Sequence, residues 1–418
     1  RAGAGAHGSS HPGSSALFDV ENGFIPYGSL VVDQRTQTHK NCLDYMTDWC
    51  HWLDVQNGAD VGRLAQFEDQ RRFITTPRDL ATYVHYDALY EAYLNACLIM
   101  LAMEVPASKG FPEKSPSERR TPFATFGGPH ILSLVCEVAT RCLKAVRRQK
   151  FNYHRRARPE VMGGRFTLQC LGHGGKLGCA QDAFAASFKE LPKDLVKAVI
   201  KHNKQQNTDE MAKMRRLHCD RKSCLPEKVT ATEFQDNNLL LPMAFPEGSP
   251  MHPAYGAGHA TVAGGCVTML KAFFEMFEKC DSHEERKLPF CYVPTSDGTA
   301  LQADKKFKGT LTIQGELDKL AANISIGRNM AGVHYYSDYF DSLRMGERIA
   351  VGILMEQAPT YGEAMEVTFK SFDGDFITIS GEGGSCPSMS ILDRTGAAVQ
   401  TNDWWLRHVS GGEFSEDL

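Results

Sequence analysis

His259-Ala260-Thr261-Val262-Ala263-Gly264-Gly265-Cys266-Val267-Thr268-Met269-Leu270-Lys271-Ala272-Phe273-Phe274 is the stretch on which the fold turns. Small or apolar residues fill nearly every position, so a helix here has no solvent face and needs other helices around it. A Pro/Gly loop from Pro242 to Gly258 leads into it. The helix therefore begins at Gly258 and His259, and that N-terminus is the end that favours anions.

The neighbours of this helix can be read outward from it. Pro129 opens an amphipathic run through Ile131, Leu132, Leu134, Val135, Val138, Cys142, Leu143 and Val146, predicted to end near Lys150. Leu311, Leu317, Leu320 and Ile324 carry a second run toward Met330, and Ser337, Leu343, Ile349 and Ile353 a third. From Pro77 to Leu94 a single helical pattern carries an aromatic stripe that reads as core. The expectation is an all-α protein of helical bundles, with a helical domain over residues 17–366. Residues 1–16, rich in Gly, Ala, Ser and His, read as a flexible tail. Residues 160–238 are polar, with a Lys/Arg-rich helical stretch from Pro192 to Arg221, and read as a surface insertion. After Glu366 the pattern shifts to Val367-Thr368-Phe369 and Phe376-Ile377-Thr378-Ile379, predicting a few short strands in a C-terminal extension, 367–418, extended or partly disordered.

With 418 residues, 42% hydrophobic and 23% charged, the composition is that of an ordinary globular protein. The net charge of −4 argues against a nucleic-acid partner. Yet Lys144, Arg147, Arg148, Lys150, Arg155, Arg156 and Arg158 cluster locally, which points to a small anion. Of the thirteen cysteines, Cys97, Cys136 and Cys266 lie in apolar stretches and read as buried thiols. His218, Cys219 and Cys224 lack a second ligand pair for zinc. No run of about 18 apolar residues suggests a membrane span. The chain starts at Arg1 without an initiator Met or an apolar signal segment, so its start reads as incomplete. The residues give no cellular address; a lost targeting segment would imply a secreted or cell-wall-associated protein.

Three separated segments hold chemistry. Lys150 and Arg158 bracket a turn before Pro159, and a lysine point charge with an arginine fork suits an oxyanion. Gly256-Ala257-Gly258 presents backbone N–H groups, with His259 as an acid/base on the first turn and His252 just upstream. Arg328 and His334 are six residues apart, and Asp338, four beyond His334, is placed to hold its Nδ1 and leave Nε2 free. Taken singly, each has a plain structural explanation: a solvated basic helix end, a glycine turn, or an N-cap at Ser337 or Asp338.

Together and in this order, Lys-x7-Arg-Pro, Gly-x-Gly-His and Gly-Arg-x5-His-x3-Asp resemble the signature of vanadium-dependent haloperoxidases and the related acid phosphatases. Thr125-Phe126-Gly127-Gly128-Pro129-His130, Leu241-Pro242-Met243-Ala244-Phe245 and Arg328-Asn329-Met330-Ala331-Gly332-Val333-His334-Tyr335 resemble the vanadium bromoperoxidases of marine red algae. The resemblance runs from about Phe73 to about Gly374. It implies an architecture of two four-helix bundles and vanadate bound covalently at His334. Lys150, Arg158 and Arg328 would neutralise its oxygens, the Gly258 N–H would donate to one of them, and His259 would deprotonate hydrogen peroxide before bromide is oxidised. His252 favours bromide over chloride, and Arg147 is a candidate halide contact. Organic acceptors, a homo-oligomer and a structural calcium ion are implied too, with Glu113 and Glu118 in the corresponding loop.

Two departures stand out. Ala257 replaces the serine usual in the family, leaving the cradle one donor short, and Gly327 stands where a serine often precedes the third-segment arginine. A phosphatase working through a phosphohistidine at His334, and a non-catalytic anion-binding subunit, are the alternative readings.

Overall fold

The structure, a computed structural model, describes residues 22–111, 122–208, 237–278 and 283–408. The tail at 1–16, the His218/Cys219/Cys224 group and the Glu113/Glu118 loop considered for calcium lie outside them.

In chain order the helices are α1 (Trp49–Gln56), α2 (Pro77–Tyr86), α3 (Glu91–Ala102), α4 (Gly128–Arg148), α5 (Pro159–Cys170), α6 (Gln181–Glu190), α7 (Lys193–Thr208), α8 (Gly258–Phe273), α9 (Ile313–Met330), α10 (Tyr336–Gln357) and α11 (Thr401–Leu406). Every residue of α8 from Ala260 to Phe273 is buried, as the apolar run required. Helices α4, α9 and α10 surround it, and α2 packs on α9. Even Lys271 is enclosed; its ammonium lies 3.0 Å from Asp318 of α9 and 4.2 Å from the Phe372 ring centroid.

Glycines set how closely α8 and α10 cross. A Cβ on Gly264 would fall 1.8 Å from the Leu343 carbonyl oxygen, and one on Gly346 would fall 2.0 Å from that of Thr261. The two backbones therefore touch without intervening side chains. Gly327 is constrained likewise, because a side chain there would press on Leu80 and Val84 of α2 at 3.1–3.2 Å.

The helical pattern from Pro77 to Leu94 is not one helix. A capping box between Thr76 and Asp79 starts α2, but Asp87 takes an extended conformation, φ −61° and ψ 146°, and ends it. Helix α3 then starts at Glu91, whose carboxylate accepts from the Ala88 N–H at 3.1 Å. The aromatic stripe is split in the same way: Tyr93 is fully buried, whereas Tyr86 is exposed.

Three strands, Met365–Lys370, Phe376–Gly381 and Ser388–Leu392, form an antiparallel sheet with Val367 opposite Ile379 and Phe369 opposite Ile377. Their alternating apolar faces join the same core as α8, so this sheet packs onto the helical bundle. Short antiparallel pairs also occur outside the C-terminal region where strands were expected, at Phe24–Tyr27 with Leu30–Asp33 and at Tyr292–Pro294 with Leu301–Ala303.

Within the polar 160–238 stretch, α5 and α7 are anchored inward by hydrogen bonds. Asn203 donates to Asn238 and to the Leu240 carbonyl, and Asn207 and Thr47 exchange two bonds of 2.8 and 2.9 Å. The Asn207 amide is paired at both ends and the Asn203 amide nitrogen makes two bonds, which ties the polar helix α7 to the loops beneath it. Cys97 and Cys266 are buried as expected, but Cys136 is exposed on α4. No helix among the described residues is long and apolar enough to cross a membrane.

Candidate active site

The N-termini of α5, α8 and α10, the C-terminus of α9 and the turn after α4 meet around a cleft of about 570 Å³. Its lining includes Lys150, His252, Gly258, His259, Arg328 and His334, so residues from all three sequence segments converge.

Lys150 sits in the π-helical turn Gln149–His154 that follows α4. Buried, its ammonium donates to the carbonyls of Pro253 at 2.7 Å and Ala254 at 3.1 Å. Desolvation, with Arg158 and Arg328 nearby, pulls its pKa down to about 7. Arg158 is the N-cap residue of α5, held extended by the following proline. It donates to the carbonyls of His252 and Val333 at 2.8 and 2.7 Å. Burial and Arg328 lower it to about 10. Arg328, near the end of α9, reaches back to the Val84 carbonyl at 2.7 Å, while its buried Nε has no partner among the described residues. Burial lowers it to about 10 as well.

The histidine protonation pattern follows from its neighbours. Asp338 Oδ2 lies 3.0 Å from His334 Nδ1 and also accepts from the Tyr335 N–H, while Arg156 binds Oδ1 at 2.8 Å. Arg158 Nη1 stands 3.1 Å from His334 Nε2. A guanidinium can only donate, so Nε2 carries the lone pair and Nδ1 the proton. Burial, then Arg158 and Lys150, hold His334 well below its ordinary pKa. Burial raises Asp338 despite the Tyr335 N–H and Arg156 that favour its charge. By the same logic His252 Nδ1 accepts from Arg158 Nη2 at 2.9 Å; its 3.4 Å approach to the Pro253 carbonyl is the weaker contact. Desolvation, Lys150 and Arg158 bring His252 down to about 4.

At the start of α8 the N-cap is Ala257, which has no side-chain oxygen for the first-turn N–H groups. Its own N–H donates to Ser342 Oγ at 2.8 Å. A Cβ built on Gly258 meets nothing within 4 Å, so that backbone faces open space. His259 Nε2 lies 3.0 Å from Asp87 Oδ1, and burial keeps the imidazole below its ordinary pKa. Nδ1 of His259 makes no hydrogen bond among the described residues.

Of the residues expected from sequence, Arg147 stands apart from the cations. It lies exposed on the cleft wall, its guanidinium 4.8 Å from the Phe151 ring centroid. The structure adds three residues that sequence reasoning missed. Asp87 is the partner of His259, His85 lines the cleft two residues earlier, and Arg156 braces Asp338. In Tyr83-Val84-His85-Tyr86-Asp87-Ala88-Leu89 the acid reads as one more helix residue. Only the break after Tyr86 turns it inward.

Three buried cations with lowered proton affinities repel one another, and nearby Asp338 is already shared with Arg156 and His334. An oxyanion would relieve that repulsion and pair with the orphaned Arg328 Nε. The donor set of cations, backbone N–H groups and one imidazole lone pair fits vanadate.

No family model matches the chain. It is 45% identical over 370 residues to the vanadium-dependent bromoperoxidases of Corallina pilulifera and Corallina officinalis, covering 88% of this chain and 56% of each relative. It is similar in structure to the homohexameric second vanadate-dependent bromoperoxidase of Ascophyllum nodosum, with a TM-score of 0.67, 25% identity, and coverage of 88% of this chain and 59% of that one. The chain thus spans little more than half the length of the curated relatives it matches. Over the part it spans, the chain is similar in sequence and in fold to the vanadium-dependent bromoperoxidases.

Proposed function

We propose that the chain carries the catalytic region of a vanadate-dependent bromoperoxidase, which oxidises bromide with hydrogen peroxide to hypobromous acid or an equivalent that brominates organic acceptors. The observation that carries the reading is the Nε2 lone pair of His334, fixed by Asp338 and placed among three buried cations. Vanadate would bind there, held by Lys150, Arg158, Arg328, the Gly258 N–H and His334. When bound it supplies a Lewis acid that activates peroxide without changing oxidation state.

The chain's own groups do the rest. Lys150, Arg158 and Arg328 offset the negative charge of the bound oxygens and hold them in a site screened from water. His259 takes a proton from hydrogen peroxide at Nδ1, the nitrogen that Asp87 leaves unengaged. Asp87 fixes the ring and stabilises the imidazolium that results. His252 and Arg147, both lining the cleft, are the proposed halide contacts. Self-association is part of the proposal, in keeping with the homohexameric relative.

One assay tests the reading: bromination of a phenol-type dye with peroxide and bromide, with and without orthovanadate, on wild type and His334→Ala. Activity that needs vanadate and disappears in the variant supports it. Activity indifferent to either sinks it, and phosphomonoester hydrolysis inhibited by vanadate would assign a phosphatase instead.

A further inference from the structure

The cleft holds a second acid–base pair that the anion cradle does not use. Glu247 Oε1 lies 2.6 Å from His85 Nε2, and the His85 ring stacks on Phe245 with centroids 3.8 Å apart and planes 15° from parallel. His85 lines the same cleft as His259, while the Glu247 side chain is 41% exposed. Among the described residues, His85 Nδ1 has no hydrogen bond. The pair thus joins a partly exposed carboxylate to a ring that lines the cleft and has one unengaged nitrogen.

Charge explains why such a pair would matter. Oxidation of bromide by peroxide consumes a proton: H2O2 + Br− + H+ gives HOBr + H2O. The O–O bond breaks, bromide gives up two electrons, and the second peroxide oxygen leaves as water. A cleft lined by Lys150 and Arg328, with Arg158 close behind them, repels hydronium, so free diffusion is a poor source of that proton.

We infer that His85 and Glu247 form the proton entry of this cleft. With Glu247 ionised, Nε2 of His85 carries the ring proton. Once solvent protonates Glu247 and the ring proton has moved to Nδ1, Glu247 gives its proton to Nε2 as Nδ1 releases one inward. The pair is then back in its starting state after a net transfer of one proton. The other titratable groups facing the pair are His39, Tyr86 and His259, with Arg78 beside His39 and Asp87 beside His259. Arg78 is paired with Asp44, and Asp87 with His259. His39 is buried and held neutral. Glu247 is therefore the one carboxylate bonded to His85 among the described residues. The inference rests on the bromoperoxidase reading.

The test uses the full chain with orthovanadate and the variants Glu247→Gln and His85→Gln. At about pH 8, kcat for bromination is expected to fall about tenfold, with KM for peroxide little changed and the loss shrinking toward acid pH. Added imidazole should restore much of the rate in His85→Gln. Orthovanadate affinity, measured by equilibrium dialysis without turnover, should match wild type. A loss equal at all pH values and deaf to imidazole, or variants as fast as wild type, would overturn the relay and leave the bromoperoxidase reading standing. A wild-type chain that binds vanadate but does not brominate would overturn both.

Discussion

Asp87 Oδ1 stands 3.0 Å from His259 Nε2, although 172 residues separate them and one closes a helix while the other opens one. Asp87 supports the charged imidazole against desolvation, so Asp87→Asn should lower the His259 pKa further. In bromination assays kcat/KM for peroxide is expected to drop about ten- to hundredfold, with the acid limb of the pH profile moving to lower pH. An unchanged profile would remove Asp87 from the acid–base machinery.

Ala257 leaves the α8 N-terminus uncapped at the cleft. Ala257→Ser restores a hydroxyl, expected to raise anion-free stability by about 1 kcal/mol through capping. If the hydroxyl also reaches the bound oxyanion, orthovanadate affinity should tighten about tenfold, the scale of a charge-assisted bond. Thermal melts and a vanadate titration separate the two effects; equal affinity in both forms would show that the lost serine is immaterial.

Lys150 gives a pH signature whose sign can be worked out. Its pKa is about 7 in the folded protein against 10.5 ordinarily, so between those values the unfolded chain binds more protons. For the anion-free protein this group's contribution therefore makes stability rise with pH across that window, with the full penalty below about pH 7. Vanadate affinity should run the other way, weakening as Lys150 loses its charge above about 7. Lys150→Met should flatten both trends and stabilise the anion-free protein at pH 6 by about 1–2 kcal/mol, because a buried, poorly compensated charge is gone. Urea melts across pH, with and without orthovanadate, measure this.

Glycine substitutions distinguish packing from chemistry. Gly264→Ala drives a methyl into the Leu343 carbonyl, and a loss of several kcal/mol or failure to fold is expected in denaturation experiments. Gly258→Ala meets open space and should melt within about 1 kcal/mol of wild type. Its methyl would occupy open space beside a residue that lines the cleft proposed to hold vanadate, so its vanadate affinity should fall.

The sequence made legible what depends on local pattern. The unbroken apolar run of α8, the period from Ile131 to Val146 and the alternation around Val367 and Ile377 each dictate their own element and its buried face. Lys150, Arg158, His259, Arg328, His334 and Asp338 stood at helix ends where each had a plain structural explanation, and it was the resemblance of the three segments taken together that singled them out. Asp87 and His85 were hidden because their roles depend on where α2 stops, and the continuing aromatic stripe masks that stop. Arg156 was lost among neighbouring basic residues that differ only in which way the turn points them. The inward anchoring of α7 was equally hidden, since side-chain amides bonding to distant loops leave no periodic trace.

The glycine-mediated crossing of α8 and α10 has a consequence for how this protein can be altered. Because main chain bears directly on main chain there, His259 and His334 behave as parts of one rigid jig whose dimensions tolerate no drift. The opposite wall is built differently: Leu143, Arg147 and Phe151 reach the cleft as exposed side chains on a helix and its trailing turn. Redesign for a different halide or a bulkier acceptor therefore has a natural workspace on that wall, where side chains can be exchanged while the jig stays fixed.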